Sequence, residues 1–321
     1  MSNVWRVLGL LVLVVGGSGT LMAQGYPSRS IKFVIPFGPG SSTDVLVRIV
    51  AQDMSKSVGQ TIIVVDKPGA DGALSALEVK RALPDGYTFL VGTNSPLAVV
   101  PSLRKDVPYD VMNDFTPITF MGDNTFYIVV HPAMPVKSIP ELVAYAKKNP
   151  GKISYASGST YALVATAMFA THNGMEMNMV PYKSEPESIV DLLSGRVQLL
   201  NGTYTTVAPH VKEGRLRMLA TTFRERSPLV PDIPCFKEVG QPDFPIGPWF
   251  AFLGPAGLPR DIVMRMNKEM SLTLAKDSVR EAMLKQGFIP KSSTPEALIT
   301  YMKDQMQVWK VALKNAGLEA Q

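Results

Sequence analysis

Apolar residues along the chain fall into short blocks that alternate between two periods. Ile31-Lys32-Phe33-Val34-Ile35-Pro36-Phe37 is an apolar run stopped by Gly38-Pro39-Gly40, which predicts a strand. After Ser41-Ser42-Thr43-Asp44, the residues Val45, Leu46, Ile49, Val50 and Met54 recur at helical spacing, and Gly59 ends the pattern. Thr43 or Asp44 is the expected N-cap, because its side-chain oxygen can accept an amide of the first turn. Residues 61–65 and 87–91 read as further strands. A short helix through Leu74, Leu77 and Val79 lies between them and ends at the turn Pro84-Asp85-Gly86. Strand–helix–strand–helix–strand at this spacing predicts an α/β fold with a parallel sheet.

The same grammar then repeats. Residues 126–130 form a predicted strand, and Ser138-Ile139-Pro140-Glu141 is a capping box that opens a helix to about Lys148. Asn149-Pro150-Gly151 turns the chain into a strand at 153–156. Ser157-Gly158-Ser159-Thr160 leads into a helix with Leu163, Thr166, Ala167 and Phe169 on one side. Strands follow at 177–180, 197–200 and 217–220, with helical segments near 186–194 and 205–213. A proline-rich stretch precedes a strand at 249–253. Two helices near 259–286 and a long one from Thr294 to about Ala316 close the pattern. Two α/β units in series predict two lobes with a cleft between them. The expected division is 26–124 plus 248–321 for the first lobe and 125–247 for the second. The chain would cross at Gly122-Asp123-Asn124 and again in the proline stretch.

Composition narrows the class. A chain of 321 residues exceeds what one core usually supports, and 46% hydrophobic content excludes disorder. Lys and Arg total 32 against 27 acids, but they are interspersed and form no basic face, so no nucleic-acid partner is expected. The single cysteine, Cys235, and three scattered histidines offer no metal-ligand or redox spacing; no metal or cofactor is expected. Residues 1–25 carry one charge, Arg6, then an apolar run interrupted at Gly16, Gly17 and Gly19, then Ala23-Gln24-Gly25. That is the pattern of a signal peptide cleaved near Gly25, which predicts an exported, periplasmic protein. A monomer is expected.

Two loops carry the candidate chemistry. Phe37, Gly38, Gly40, Ser41, Ser42, Thr43 and Asp44 precede one predicted helix. Ser157, Gly158, Ser159, Thr160, Tyr161 and Ala162 lead into another. Small residues at a helix N-terminus let an anion approach unpaired amides on the favourable end of the dipole. Neither loop contains Lys or Arg, so the donors would be neutral. Asp44 is expected to act as a cap, since a second negative charge would repel an anion. No phosphate-binding loop, complete Gly-x-Gly-x-x-Gly or Gly-x-Ser-x-Gly elbow is present, and no nucleophile–base pair is recognisable. An enzyme is therefore not expected. Methionines such as Met168, Met175, Met177 and Met179 read as core filler, and Trp249 and Trp309 as packing residues.

Read together, these segments resemble the periplasmic solute receptors of tripartite tricarboxylate transporters, the Bug-type family. The matches include Pro36-Phe37-Gly38-Pro39-Gly40-Ser41-Ser42-Thr43-Asp44, Lys67-Pro68-Gly69-Ala70-Asp71-Gly72, Pro84-Asp85-Gly86-Tyr87-Thr88 and Pro108-Tyr109-Asp110. They continue through Asn113-Asp114-Phe115-Thr116-Pro117-Ile118, Asn149-Pro150-Gly151-Lys152, Val180-Pro181-Tyr182-Lys183 and Leu192-Leu193-Ser194-Gly195-Arg196-Val197. The resemblance implies a two-lobe, type II periplasmic-binding-protein fold that captures a small carboxylate between lobes and passes it to membrane permease subunits. A sensor that docks on a membrane kinase, or an enzyme using the same cleft, are the alternatives. Asn94, Ser95 and Thr203 complete the candidate ligand-binding set. Ser41 stands where the family usually has a second glycine. Ser159-Thr160-Tyr161-Ala162 stands where a common subgroup has Asn-Ser-Thr-Gly, so Tyr161 adds an aromatic wall or a phenol donor. With Phe37 and Tyr204 it suggests a wall for an aromatic or medium-length aliphatic acid. Thr203 stands where an aspartate is common, which favours a ligand without an amino group. Lys183 is expected to be structural or at the cleft rim.

Overall fold

The computed structural model describes residues 25–242 and 246–315. The expected signal peptide therefore lies outside the described residues except for Gly25. The first strand, β1 (Ile31–Ile35), alternates as its pattern requires: Ile31, Phe33 and Ile35 pack on one face, Val34 on the other, and Lys32 is exposed. Helix α1 (Ser42–Val58) follows, and Gly59 ends it in the left-handed conformation, as expected. Its N-cap is neither Thr43 nor Asp44. Ser41 has the extended backbone a cap needs, and its hydroxyl accepts the Asp44 N–H. Four consecutive residues here have cap-forming side chains, so the backbone turn after Gly40 makes the choice.

Strands β2 (Ile62–Asp66) and β3 (Thr88–Thr93) flank helix α2 (Ala73–Lys80), and both pair with β1 in parallel. After β3 the chain makes a π turn at Ser95–Val99 and a short helix α3 (Val100–Leu103), neither of which the sequence pattern predicts. Next comes β4 (Phe115–Asn124), a ten-residue strand that includes the expected crossing point Gly122-Asp123-Asn124. Its Pro117 and Gly122 argue against a strand by composition. Register shifts against its neighbour accommodate the proline, and a Cβ at Gly122 would lie 2.2 Å from the Ile289 carbonyl oxygen.

The second sheet is built from β5 (Phe126–Val130), β6 (Ile153–Ser157), β7 (Met177–Pro181), β8 (Leu199–Thr203) and β9 (Arg217–Thr221), in the order β7-β6-β8-β5-β9. Helices α4 (Ile139–Lys148), α5 (Thr160–His172), α6 (Glu185–Leu193) and α7 (Tyr204–Lys212) connect them. At α4, Ser138 accepts the Glu141 N–H, but Glu141 reaches back to Lys137 rather than to Ser138, so half of the expected box forms. Met168 and Met175 are buried, whereas Met179 is 49% exposed because β7 is an edge strand.

The chain then returns to the first sheet. Strand β10 (Trp249–Pro255) inserts between β3 and β4, antiparallel to both, and β11 (Phe288–Pro290) adds outside β4. The order is β11-β4-β10-β3-β1-β2, so the sheet is mixed rather than parallel. The second sheet is mixed as well, since β5 runs antiparallel to β8 and β9. Both departures come from strands that join after a crossing between halves and so enter from the opposite end. Helices α8 (Arg260–Ala275), α9 (Asp277–Leu284) and α10 (Pro295–Asn315) cover the first sheet. One apolar cluster joins the halves: Trp309 and Leu298 of α10 share it with Tyr161, Ala165 and Met168 of α5.

Candidate functional site

The C-terminal ends of β1, β3, β6 and β8 meet where the halves face each other. A small cavity lies there. Such strand ends are where open α/β sheets collect ligands. Of the residues expected from sequence, Phe37, Ser41, Ser42, Thr43, Asn94, Ser95, Gly158, Ser159, Tyr161 and Thr203 line it. Gly38, Gly40, Asp44, Ser157, Thr160 and Ala162 do not line it. Asp44 accepts the Gly40 N–H at 3.0 Å and pairs with Arg48, which fixes the loop and keeps its charge out of the cavity. Ser157 ties the second loop in the same way, exchanging hydrogen bonds with the Ser159 backbone.

Caps decide which amides remain open. Ser41 takes the Asp44 amide and its carbonyl takes the Val45 amide, leaving Ser42 and Thr43 at the bare start of α1. At α5, Ser159 takes the Ala162 amide, and the Tyr161 N–H crosses to Ser95 Oγ of the other half at 3.2 Å. Within the first half, Asn124 Nδ2 donates to Ser42 Oγ. Asn94 and Thr93 are both 3% exposed, and Asn94 Nδ2 and Thr93 Oγ1 have no hydrogen-bond partner among the described residues. Buried polar groups rarely stay unpaired without a reason. Tyr161 forms the aromatic wall, edge-on to Phe126 at 5.0 Å and to Trp309 at 5.9 Å; burial pushes its phenol pKa up. Tyr204 is not in the lining.

Sequence reading missed Thr93, Asn124, Phe126, Glu185, Pro248 and Phe250, all of which line the cavity. Glu185 matters most. Its carboxylate accepts the Thr203 N–H and the hydroxyls of Thr203 and Thr206. Burial raises its pKa, and the Thr206 and Thr203 bonds pull against that rise. The expectation drawn from Thr203, a ligand without an amino group, left open that Asp123 or another carboxylate enters the cleft from elsewhere. Glu185 brings one to Thr203 itself. Among the described residues, no Lys, Arg or His lines the cavity. Lys183 instead lines an adjoining groove with Arg104, Tyr182 and the Gly69–Gly72 turn, at the expected rim.

Asp123, next to Asn124 but outside the lining, offers a separate test. Burial pushes its pKa from 3.8 to about 6, against the pull of Lys291 and Arg224. An acid with a raised folded-state pKa favours the folded state below its unfolded value. That advantage is lost as pH rises through about 6. Asp123→Asn is therefore expected to be about 1–3 kcal/mol more stable than wild type at pH 8, with the gain vanishing toward pH 4. Urea unfolding of both proteins across that range checks this; a difference independent of pH would refute it.

Comparison with known proteins agrees in both sequence and shape. Residues 46–318 match the family described as the tripartite tricarboxylate transporter family receptor. Protein BugT of Bordetella pertussis is 33% identical over 99% of this chain and 98% of its own length. The periplasmic binding protein BugD superposes with a TM-score of 0.87 at 32% identity, covering 92% of this chain and 100% of that one. R. palustris Rpa4515, solved with adipate, gives 0.89 at 29% identity with the same coverage. The fold is the two-lobe, type II periplasmic-binding-protein arrangement that the sequence implied.

Proposed function

The chain belongs to the tripartite tricarboxylate transporter receptor family, and from that premise we propose that it is a periplasmic receptor for a small carboxylate. Its two lobes, 26–124 plus 248–321 and 125–247, close on the ligand and present it to the membrane subunits of such a transporter. Residues 1–25 are the leader that directs export and is removed near Gly25. No described helix is long and apolar enough to cross a membrane, which fits a receptor that meets its permease from outside.

One observation carries the reading. Among the described residues Asn94 Nδ2 and Thr93 Oγ1 are buried without partners, in a cavity that also holds the bare start of α1. Neutral donors of this kind suit a carboxylate that must later be released, because no ion pair has to be broken. Bonds to the ligand from both lobes exist only when the lobes are closed, so ligand binding shifts the equilibrium toward closure. The adipate held by Rpa4515 supports the same ligand class.

Thermal-shift screening of the mature protein tests this against succinate, glutarate, adipate, benzoate, nicotinate, aspartate and glutamate. At least one is expected to raise Tm, since a ligand that binds only the native state stabilises it. Asn94→Asp replaces a donor with a negative charge and is expected to weaken the best ligand by about tenfold or more. A panel with no response, or an unchanged affinity in Asn94→Asp, would overturn the assignment.

A further inference from the structure

We propose that Glu185 is the cavity's receptor for an ammonium group, so that the ligand is a zwitterionic amino-carboxylate. This rests on the carboxylate-receptor reading above and specifies its substrate class. Glu185 opens α6, and Gly202 leaves room for its carboxylate: a Cβ there would lie 2.9 Å from Oε1. The two oxygens are unequally used. Oε1 accepts the Thr203 amide and the Thr206 hydroxyl, both at 2.5 Å. Among the described residues Oε2 accepts only the Thr203 hydroxyl, at 3.0 Å, a donor that also lies 3.2 Å from Oε1. A carboxylate has about four lone-pair sites, so the unfilled capacity lies on Oε2.

Burial favours the neutral acid, the three donors favour the ionised form, and an ammonium beside Oε2 would secure the ionised form. An ionised Glu185 gives the cavity one negative charge, and no cation lines it among the described residues. A plain dicarboxylate would bring two more negative charges into that space, and like charges repel strongly where water is excluded. An amino-carboxylate resolves the imbalance. Its carboxylate takes the Asn94, Thr93 and α1 donors, and its ammonium takes Glu185 Oε2. Phe37, Phe126 and Phe250 screen the space from water, which strengthens the pairing.

Calorimetry with matched pairs, glutarate against glutamate and succinate against aspartate, tests the assignment on the mature wild type and on Glu185→Gln. Wild type is expected to bind the amino member of the better pair about tenfold tighter or more, and Glu185→Gln to reduce that ratio to about threefold or less. A wild type that prefers the plain diacid, or a ratio unchanged in Glu185→Gln, would overturn the role of Glu185 while the carboxylate reading stands. If no member of either pair, nor any other carboxylate, binds wild type, the carboxylate reading itself fails. Should Glu185→Gln prove unfolded by its urea midpoint, the wild-type preference decides alone.

Discussion

Valine at position 158 is expected to abolish ligand binding and to destabilise the protein by about 1–3 kcal/mol or more. Gly158 sits at the end of β6 with the start of α6 against it. A Cβ there would lie 2.2 Å from the Glu185 nitrogen, 2.4 Å from its Cα and 2.5 Å from the Ser184 carbonyl carbon. These are backbone atoms, so no rotamer change can relieve the contact. Relief must come from moving α6, which shifts Glu185 and the cavity wall together. Alanine at 158 carries the same Cβ and is expected to lose binding as well. Lys147→Ala, on the exposed last turn of α4, is expected to leave both properties unchanged. Calorimetry and urea unfolding on the three variants check this, and equal affinities for Gly158→Val and Lys147→Ala would refute it.

Trp309→Ala is expected to cost about 3–5 kcal/mol, the range for truncating a large aromatic in a packed core. Trp309 is fully buried on α10, and its ring meets Tyr161 edge-on across the boundary between halves. Removing it opens a cavity and also frees Tyr161, whose ring is the wall of the site and whose amide bridges to Ser95. Affinity for the ligand is expected to fall with stability. Trp309→Phe keeps an edge for Tyr161 and is expected to retain most of both. Urea unfolding measures the first effect and calorimetry the second; a loss under about 1 kcal/mol for Trp309→Ala would show that the contact is not structural.

The first loop was legible because its signals are local. Gly38-Pro39-Gly40 must break a strand, and four cap-forming residues before a helical period mark where amides are exposed. Ser159 and Tyr161 were found the same way. Glu185 was not, and its context explains why. In Ser184-Glu185-Pro186-Glu187, an acid beside a first-turn proline reads as a complement to the helix dipole. Only the packing of α6 on β8 turns that side chain toward Thr203. Strand β4 was hidden by its own composition, since Pro117, Gly122, Asp123 and Asn124 each lower strand propensity. Its place is set by β10 and β11, which pair with it from far along the chain. Phe126, Pro248 and Phe250 were missed for a related reason: they reach the cavity because the chain crosses between halves on either side of them.

The insertion of β10 has a consequence for how the chain acquires its structure. Residues 126–221 contain every strand of their sheet, so that half is specified by one continuous stretch. The other sheet has a gap at its centre until residues 249–255 arrive, because β3 and β4 do not pair with each other and meet only through β10. Thr93 must therefore wait for Phe250, and loop-closure entropy has to be overcome across the whole intervening half. Formation of the continuous half shortens that search by bringing its two ends together. Until then β3 and β4 are open edges carrying Leu90, Val91, Ile118 and Phe120, available to any other extended chain. Those edges close only when β10 seats between them.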